Sequence, residues 1–395
     1  GVLTIDGEPK TLRLNNRLRG LIDTALASHQ LLAADAKTRL NTLKEVLKEY
    51  IEEQHEKNPI EAAESLSTLG SLLDLTDRTD EGILCNEITI KFMEEALGSD
   101  HLMLATVKHR MGGVRFRLGE FDRSISRLRE ALLVRRAKLG DTHILTEETL
   151  KALASAYVAT GNNEMALFYF KEALSMRKDR SIGQTDKDSE ADLQLRLGKL
   201  HLEQYEYAEA LACLKNSLKL QRQSKLSMNE RKLGDILQCM GSSLLELKQF
   251  QEARVSLLSA LKILERSRGD GSEMLNTTYL LGRVNEDEKS YDKAIIWFDK
   301  SLGILNRMDV KDQKMNARIT FRIGMVKFGV KEYDDALSFV EEAKIILAME
   351  FGTSHYEYGR CLHSLGRIHF AMSKFSQSKE SFQAALQILQ HHTKP

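Results

Sequence analysis

The chain has 395 residues, with 57 Lys and Arg against 57 Asp and Glu, and this zero net charge excludes a general binder of nucleic acid or anionic membrane. Only three prolines and 6% aromatic residues argue against a fold rich in strands and turns, while abundant Leu, Ala, Lys, Glu and Arg point to helix throughout. Hydrophobic residues at 42% suffice for a continuous core.

Residues 1–57 are predicted to be a leader followed by capping helices. Gly1–Lys10 reads as a loose or extended segment. Leu12–Ala33 and Ala36–Gln54 carry apolar residues at helical spacing, among them Leu14, Leu18, Leu21, then Leu40, Leu43 and Leu47. Two such helices would cover the exposed face of a stacked array.

Residues 58–390 repeat. An apolar residue followed by a small one recurs at Gly70, Gly112, Ala154, Gly198, Gly241, Gly282, Gly324 and Gly366, in steps of 41 to 44 residues. Twelve residues on from each stand Gly82, Ser124, Ala166, Ala210, Ala253, Ala294, Ala336 and Ser378. Seven further on stand Thr89, Ala131, Ala173, Ser217, Ala260, Ser301, Ala343 and Ala385. All are small because two helices approach closely only where small side chains meet. Between the first and second sets falls an aromatic: Phe121, Tyr207, Phe250, Tyr291, Tyr333 or Phe375, replaced by Thr79 and Asn163 in the first and third repeats. It is expected where each second helix begins. Asn58-Pro59-Ile60-Glu61 reads as a helix start, and Ser227 to Glu230 and Ser354 to Glu357 as capping boxes. Gly140, Gly269, Gly271 and Gly352 fall where helices are expected to stop. Residues 391–395 form a tail.

Small residues at three fixed places, with an aromatic before the second, resemble the tetratricopeptide repeat. The period near 42 and linkers such as Leu139-Gly140-Asp141-Thr142-His143 and Phe351-Gly352-Thr353-Ser354-His355 are similar to the kinesin light chain subtype. The family's tryptophan, the proline after the linker histidine and the paired asparagines of that subtype are missing. The resemblance implies an all-α, right-handed α-solenoid superhelix of about eight helical hairpins, with partners lying along a concave face lined by first helices.

On that expectation the lining is acidic or mild in the N-terminal half, with Glu64, Ser71, Glu148, Ser155, Asp192 and Asp235. In the C-terminal half it turns basic, with Arg283, Arg318, Arg322, Arg360 and Arg367 interleaved with Tyr279, Phe321, Phe328 and Phe370. Arginines beside aromatics suit an acidic peptide or helix, because a guanidinium pairs bidentately with carboxylates and also stacks. The alternative is pairing of these arginines with acids of neighbouring helices, such as Glu286 and Asp287.

No phosphate-binding loop, nucleophile elbow or zinc-protease motif occurs, so no catalytic residue, cofactor or metal is assigned. Cys361, His363 and His369 are the nearest approach to a metal set, but on one helix they do not share a face. Glu147-Glu148 and Asp334-Asp335 sit at helix starts, where they favour the dipole. Trp297, beside Phe298, reads as packing. Cys85, Cys213, Cys239 and Cys361 fit no disulfide or zinc spacing and read as buried thiols in a reducing, cytoplasmic setting. No apolar run reaches the length of a membrane span. The expectation is a non-enzymatic adaptor or scaffold for a protein or peptide, acidic in character. The alternatives are a peptide-responsive regulator and a structural subunit of a larger assembly.

Overall fold

The computed structural model describes residues 36–54, 59–75, 78–179, 187–223, 230–267, 271–308 and 312–390. Among them are seventeen helices and no strand. The chain divides into two units, residues 1–185 and 186–395. In the first, α1 (Ala36–Gln54) precedes three hairpins: α2 (Pro59–Leu75) with α3 (Thr79–Leu97), α4 (Leu102–Arg117) with α5 (Phe121–Leu139), and α6 (Ile144–Ala159) with α7 (Asn163–Asp179). The second holds five: α8 (Lys187–Glu203) with α9 (Tyr207–Gln223), α10 (Glu230–Glu246) with α11 (Phe250–Arg266), α12 (Gly271–Asp287) with α13 (Tyr291–Leu305), α14 (Gln313–Gly329) with α15 (Tyr333–Phe351), and α16 (Tyr356–Ala371) with α17 (Phe375–Leu389).

The positions expected to open second helices coincide with element boundaries. Thr79, Phe121, Asn163, Tyr207, Phe250, Tyr291, Tyr333 and Phe375 are each the first residue of a second helix. The small residues explain the close approach. A Cβ on Gly112 would lie 2.6 Å from Leu128 Cγ, and one on Gly198 would lie 2.7 Å from Leu214 Cγ. The residue sixteen positions after each small residue is therefore the large one that fills its notch. Leu128, Phe170, Leu214, Leu257, Phe298 and Val340 in that place are all buried. In the first hairpin the place belongs to Asn86, whose Oδ1 accepts from Arg110 Nη2 at 2.5 Å and whose Nδ2 donates to Asp74 at 3.2 Å. The first repeat thus replaces an apolar contact with a buried polar one, and burial raises the pKa of the Asp74 carboxyl against the pull of Arg110.

The turns inside the second to eighth hairpins share one geometry. Lys248 N donates to Leu245 O at 2.9 Å and Gln249 N to Leu244 O at 2.8 Å, the paired bonds of a left-handed helix end. The left-handed residue is Gly119 or Gly161 in the first unit, but Tyr205, Lys248, Lys289, Lys331 and Ser373 in the second.

Between hairpins, three linkers use histidine as the cap. Nδ1 of His101, His143 and His355 accepts from the backbone N–H of Met103, Leu145 and Glu357, at 3.3, 3.1 and 3.2 Å. The cap of α16 is therefore His355, one residue later than the expected capping box at Ser354. Gly140 and Gly352 close their helices with positive φ as expected, whereas Gly271 opens α12 instead of ending α11. A helix that can start directly at glycine needs no stop there. Pro59 stands at the first position of α2. The expected helix over 12–33, and the residues Asn58, Ser227 and Gly269, lie outside the described residues, as does the tail.

α1 has the bounds of the helix expected over Ala36–Gln54, and Leu43, Leu47 and Tyr50 bury its apolar stripe against α2 and α3. Glu147 does more than favour a helix dipole. It is fully buried and its Oε1 lies 2.7 Å from Arg177 Nη2 and 3.3 Å from Lys151 Nζ.

Candidate functional site

The first helices of the second unit are tied side by side by long-range polar pairs. Lys199 of α8 reaches Asp235 of α10 at 3.1 Å. Arg231 of α10 reaches Glu273 of α12 at 3.0 Å, and Arg283 of α12 reaches back to Glu246 at 2.9 Å. Arg322 of α14 places Nη1 3.3 Å from both carboxylate oxygens of Glu286. Arg318 of α14 donates from Nε and Nη2 to Glu357 Oε1 of α16, at 2.9 and 2.7 Å. One helical repeat separates the partners each time, because equivalent positions on consecutive first helices lie side by side.

The Arg322–Glu286 rung is largely buried, with side chains 21% and 13% exposed. Burial works against the charge on Arg322, but Glu286 and Tyr279 outweigh it and raise its pKa. Burial pushes the Glu286 carboxyl upward, and the ion pair limits that rise. Leaving either partner alone would strand a buried charge.

On α16 the pattern changes. Arg360 lies over the Phe321 ring at 5.4 Å, and Arg367 over the Phe328 ring at 5.0 Å. Both contacts span the thirty-nine-residue step that joins Arg318 to Glu357. An aromatic ring stands where an acid would complete the rung. Neither arginine forms an ion pair among the described residues. Each guanidinium lies over an aromatic ring, and among the described residues no carboxylate meets its N–H groups.

Of the sequence-predicted residues, Tyr279, Arg318, Phe321, Arg322 and Arg360 surround one cavity of about 30 Å³ between α12, α14 and α16. That volume holds about one water molecule, so it is a crevice and not a side-chain pocket. Arg367 and Phe328 stand one step further along the same helices. Arg283 belongs to the preceding rung. Phe370 does not join the group: it is exposed and meets Phe375 edge-on at 5.6 Å, at the end of the array. Sequence reasoning missed Glu246 and Glu357, the acids that occupy two of the arginines. Their signal was present as acid-to-base spacings of 37 and 39 residues, close to the repeat period.

Among the described residues no group of three or more His, Cys, Asp or Glu side chains is arranged to hold a metal. Cys361 is buried against α14 and α15, whereas His363 points the other way and meets Phe382 edge-on at 5.4 Å. Burial pushes the thiols of Cys85 and Cys361 up to about 12, so neither is a nucleophile at neutral pH. Cys213 and Cys239 are only half-buried, a departure from the expectation that all four would be buried. Trp297 packs against the core, with Lys300 Nζ 5.2 Å above its ring. No described helix is long and apolar enough to cross a membrane.

Consecutive helical hairpins joined by polar rungs, with no described catalytic constellation, define a repeat protein of the stacked-hairpin class. The tetratricopeptide repeat family matches residues 103–179, 233–307 and 316–391, more than half of the chain, and the chain belongs to that family. It is kinesin-light-chain-like: it is 22% identical over 340 residues to the Arabidopsis thaliana protein KINESIN LIGHT CHAIN-RELATED 1, covering 83% of this chain and 53% of that protein. The chain spans about half the length of the curated relatives it matches. In fold it is similar to the apo form of RapI, with a TM-score of 0.65 at 18% identity, covering 95% of this chain and 97% of that one. It is similar also to the apo form of the quorum sensor NprR from B. thuringiensis, with a TM-score of 0.54 at 14% identity, covering 95% and 98%.

Proposed function

We propose that the chain is a non-enzymatic adaptor that holds an acidic segment of a partner protein against its last first helices, in a reducing, cytoplasmic setting. The observation that carries this reading is the pair of arginines on α16, Arg360 and Arg367, each seated on an aromatic ring and lacking a carboxylate. Phe321 and Phe328 supply the apolar surface beside them. Arg283, Arg318 and Arg322 belong to the scaffold of that surface, because their charge is already met by Glu246, Glu357 and Glu286. Carboxylates of the partner would complete the open rungs.

The test is a titration of a synthetic acidic peptide into the wild-type chain and into Arg360→Glu/Arg367→Glu. At least a tenfold loss of affinity is expected, with the helical circular dichroism unchanged. Unchanged affinity would sink the assignment. A second reading, a peptide-responsive regulator, draws on the likeness of the fold to the quorum sensor NprR. Its mark is a change in radius of gyration on peptide binding, read by small-angle scattering; a constant radius leaves the adaptor reading alone.

A further inference from the structure

Each internal hairpin of the second unit is covered by the first helix of the next. α16 seats on α14 and α15 by Cys361, Leu365 and Ile368, which pack with Val340, Ala343 and Leu347 of α15. The notch-filling residue is consequently buried in hairpin after hairpin: Leu214, Leu257, Phe298 and Val340. Its counterpart in the last hairpin, Phe382, is only half-buried. Around it Phe370, Phe375 and Leu386 are 63%, 61% and 56% exposed. Together with Lys379 and Gln383 they form an open groove of about 490 Å³ on α16 and α17. A contiguous apolar surface of this kind marks an interaction site.

Two features state what fits it. The first is the shape of the helices that cover the equivalent faces. α16, which covers α15, presents Cys361, Leu365 and Ile368, and α14, which covers α13, presents Ile319, Ile323 and Val326. Both sets have the spacing i, i+4, i+7. The second is charge. Two first helices carry an acid in the first turn that pairs with a basic residue of the preceding first helix: Glu273 with Arg231, and Glu357 with Arg318. Arg360 is the counterpart of Arg318 one repeat on, and among the described residues no acid meets it. From Glu357 the apolar residues follow at four, eight and eleven positions; from Glu273 the buried Thr277, Leu281 and Val284 follow at the same positions.

We infer that the groove on α16 and α17 receives an amphipathic helix of a partner protein, with an acid in its first turn and apolar residues four, eight and eleven positions later. The helix seats on α16 and α17 as α16 seats on α14 and α15. Its carboxylate takes the open rung at Arg360, and its apolar stripe covers Phe382 and Leu386. This surface shares Arg360 with the acidic-segment site but not Arg367, which stands on the other side of that rung.

The probe is a helix-stapled synthetic peptide copying Tyr356–Ala371 with Cys361→Leu, followed by fluorescence anisotropy against the full chain. Saturable binding is expected. Leu386→Glu, at an exposed position that leaves folding intact, should weaken it at least tenfold, as should Phe382→Asp if that variant folds. Glu357→Lys in the peptide should weaken it severalfold. Arg367→Glu should leave it unchanged while it impairs acidic-segment binding, so the two sites fail separately. Absence of saturable binding, or indifference to Leu386→Glu, overturns the inference. So does a concentration-dependent dimer in sedimentation that Leu386→Glu abolishes, because the groove would then belong to a second copy.

Discussion

Arg322 on α14 and Arg367 on α16 are the same residue type on neighbouring first helices of one unit, and they do different work. Arg322 is sunk against Tyr279 and locked to both oxygens of Glu286. Arg367 is exposed, rests on Phe328 and meets no acid. The difference lies in the neighbour one repeat away, glutamate in one case and phenylalanine in the other. A row of basic residues on a repeat protein therefore cannot be read as a binding face until the residues one period away are examined.

The largest effect should come from breaking the buried rung. Glu286→Gln leaves the Arg322 guanidinium without its counter-charge and should cost about 3–5 kcal/mol of stability by urea unfolding. Arg367→Ala should change stability by less than about 0.5 kcal/mol, as surface substitutions do. Equal losses in the two variants would erase the distinction between them.

Acid sharpens the contrast between units. Burial, helped by Arg135, depresses His109 in the first unit from 6.5 to about 4. His369 in the second is lowered by burial and by Lys374 and Lys344, against Glu341. A folded pKa below the unfolded one means that the unfolded chain binds the extra proton first. Stability from these residues is complete above about pH 6.5 and is lost as the pH falls, for His109 towards about 4. His109→Gln should flatten the stability profile between pH 7 and 4, and an unaltered profile would contradict this role.

The smallest effects lie in the hairpin turns. The first unit meets the left-handed position with Gly119 and Gly161, whereas the second uses Lys248, Lys289 and Lys331. Replacing each lysine by glycine relieves about 1–2 kcal/mol of backbone strain, less the added entropy of the unfolded chain. A net gain of about 0.5–1 kcal/mol per site is expected in thermal unfolding, and a loss would show that the lysine side chains matter more than the backbone.

The repeat was legible because packing enforces it. A notch that admits only Gly or Ala leaves that residue in the sequence at every period, and the aromatic that opens six of the eight second helices marks the register to the residue. The left-handed lysines were not legible, since nothing about lysine announces positive φ. At the site the sequence reading grouped residues of α12, α14 and α16, and Tyr279, Phe321, Arg322 and Arg360 of that group line one cavity. It could not separate paired from unpaired arginines, because pairing depends on the exact lateral register of helices about forty residues apart. Phe370 was grouped with the lining by its place in the repeat, but the last hairpin has no successor among the described residues, and its side chain faces the end groove.

The most direct measurement is to follow the arginine Nε–H signals of the folded chain by NMR while the acidic peptide is added. Shifts at Arg360 and Arg367, with Arg283, Arg318 and Arg322 unmoved, are the expected result. Shifts at Arg318 and Arg322 with Arg360 and Arg367 silent would contradict the division between closed and open rungs.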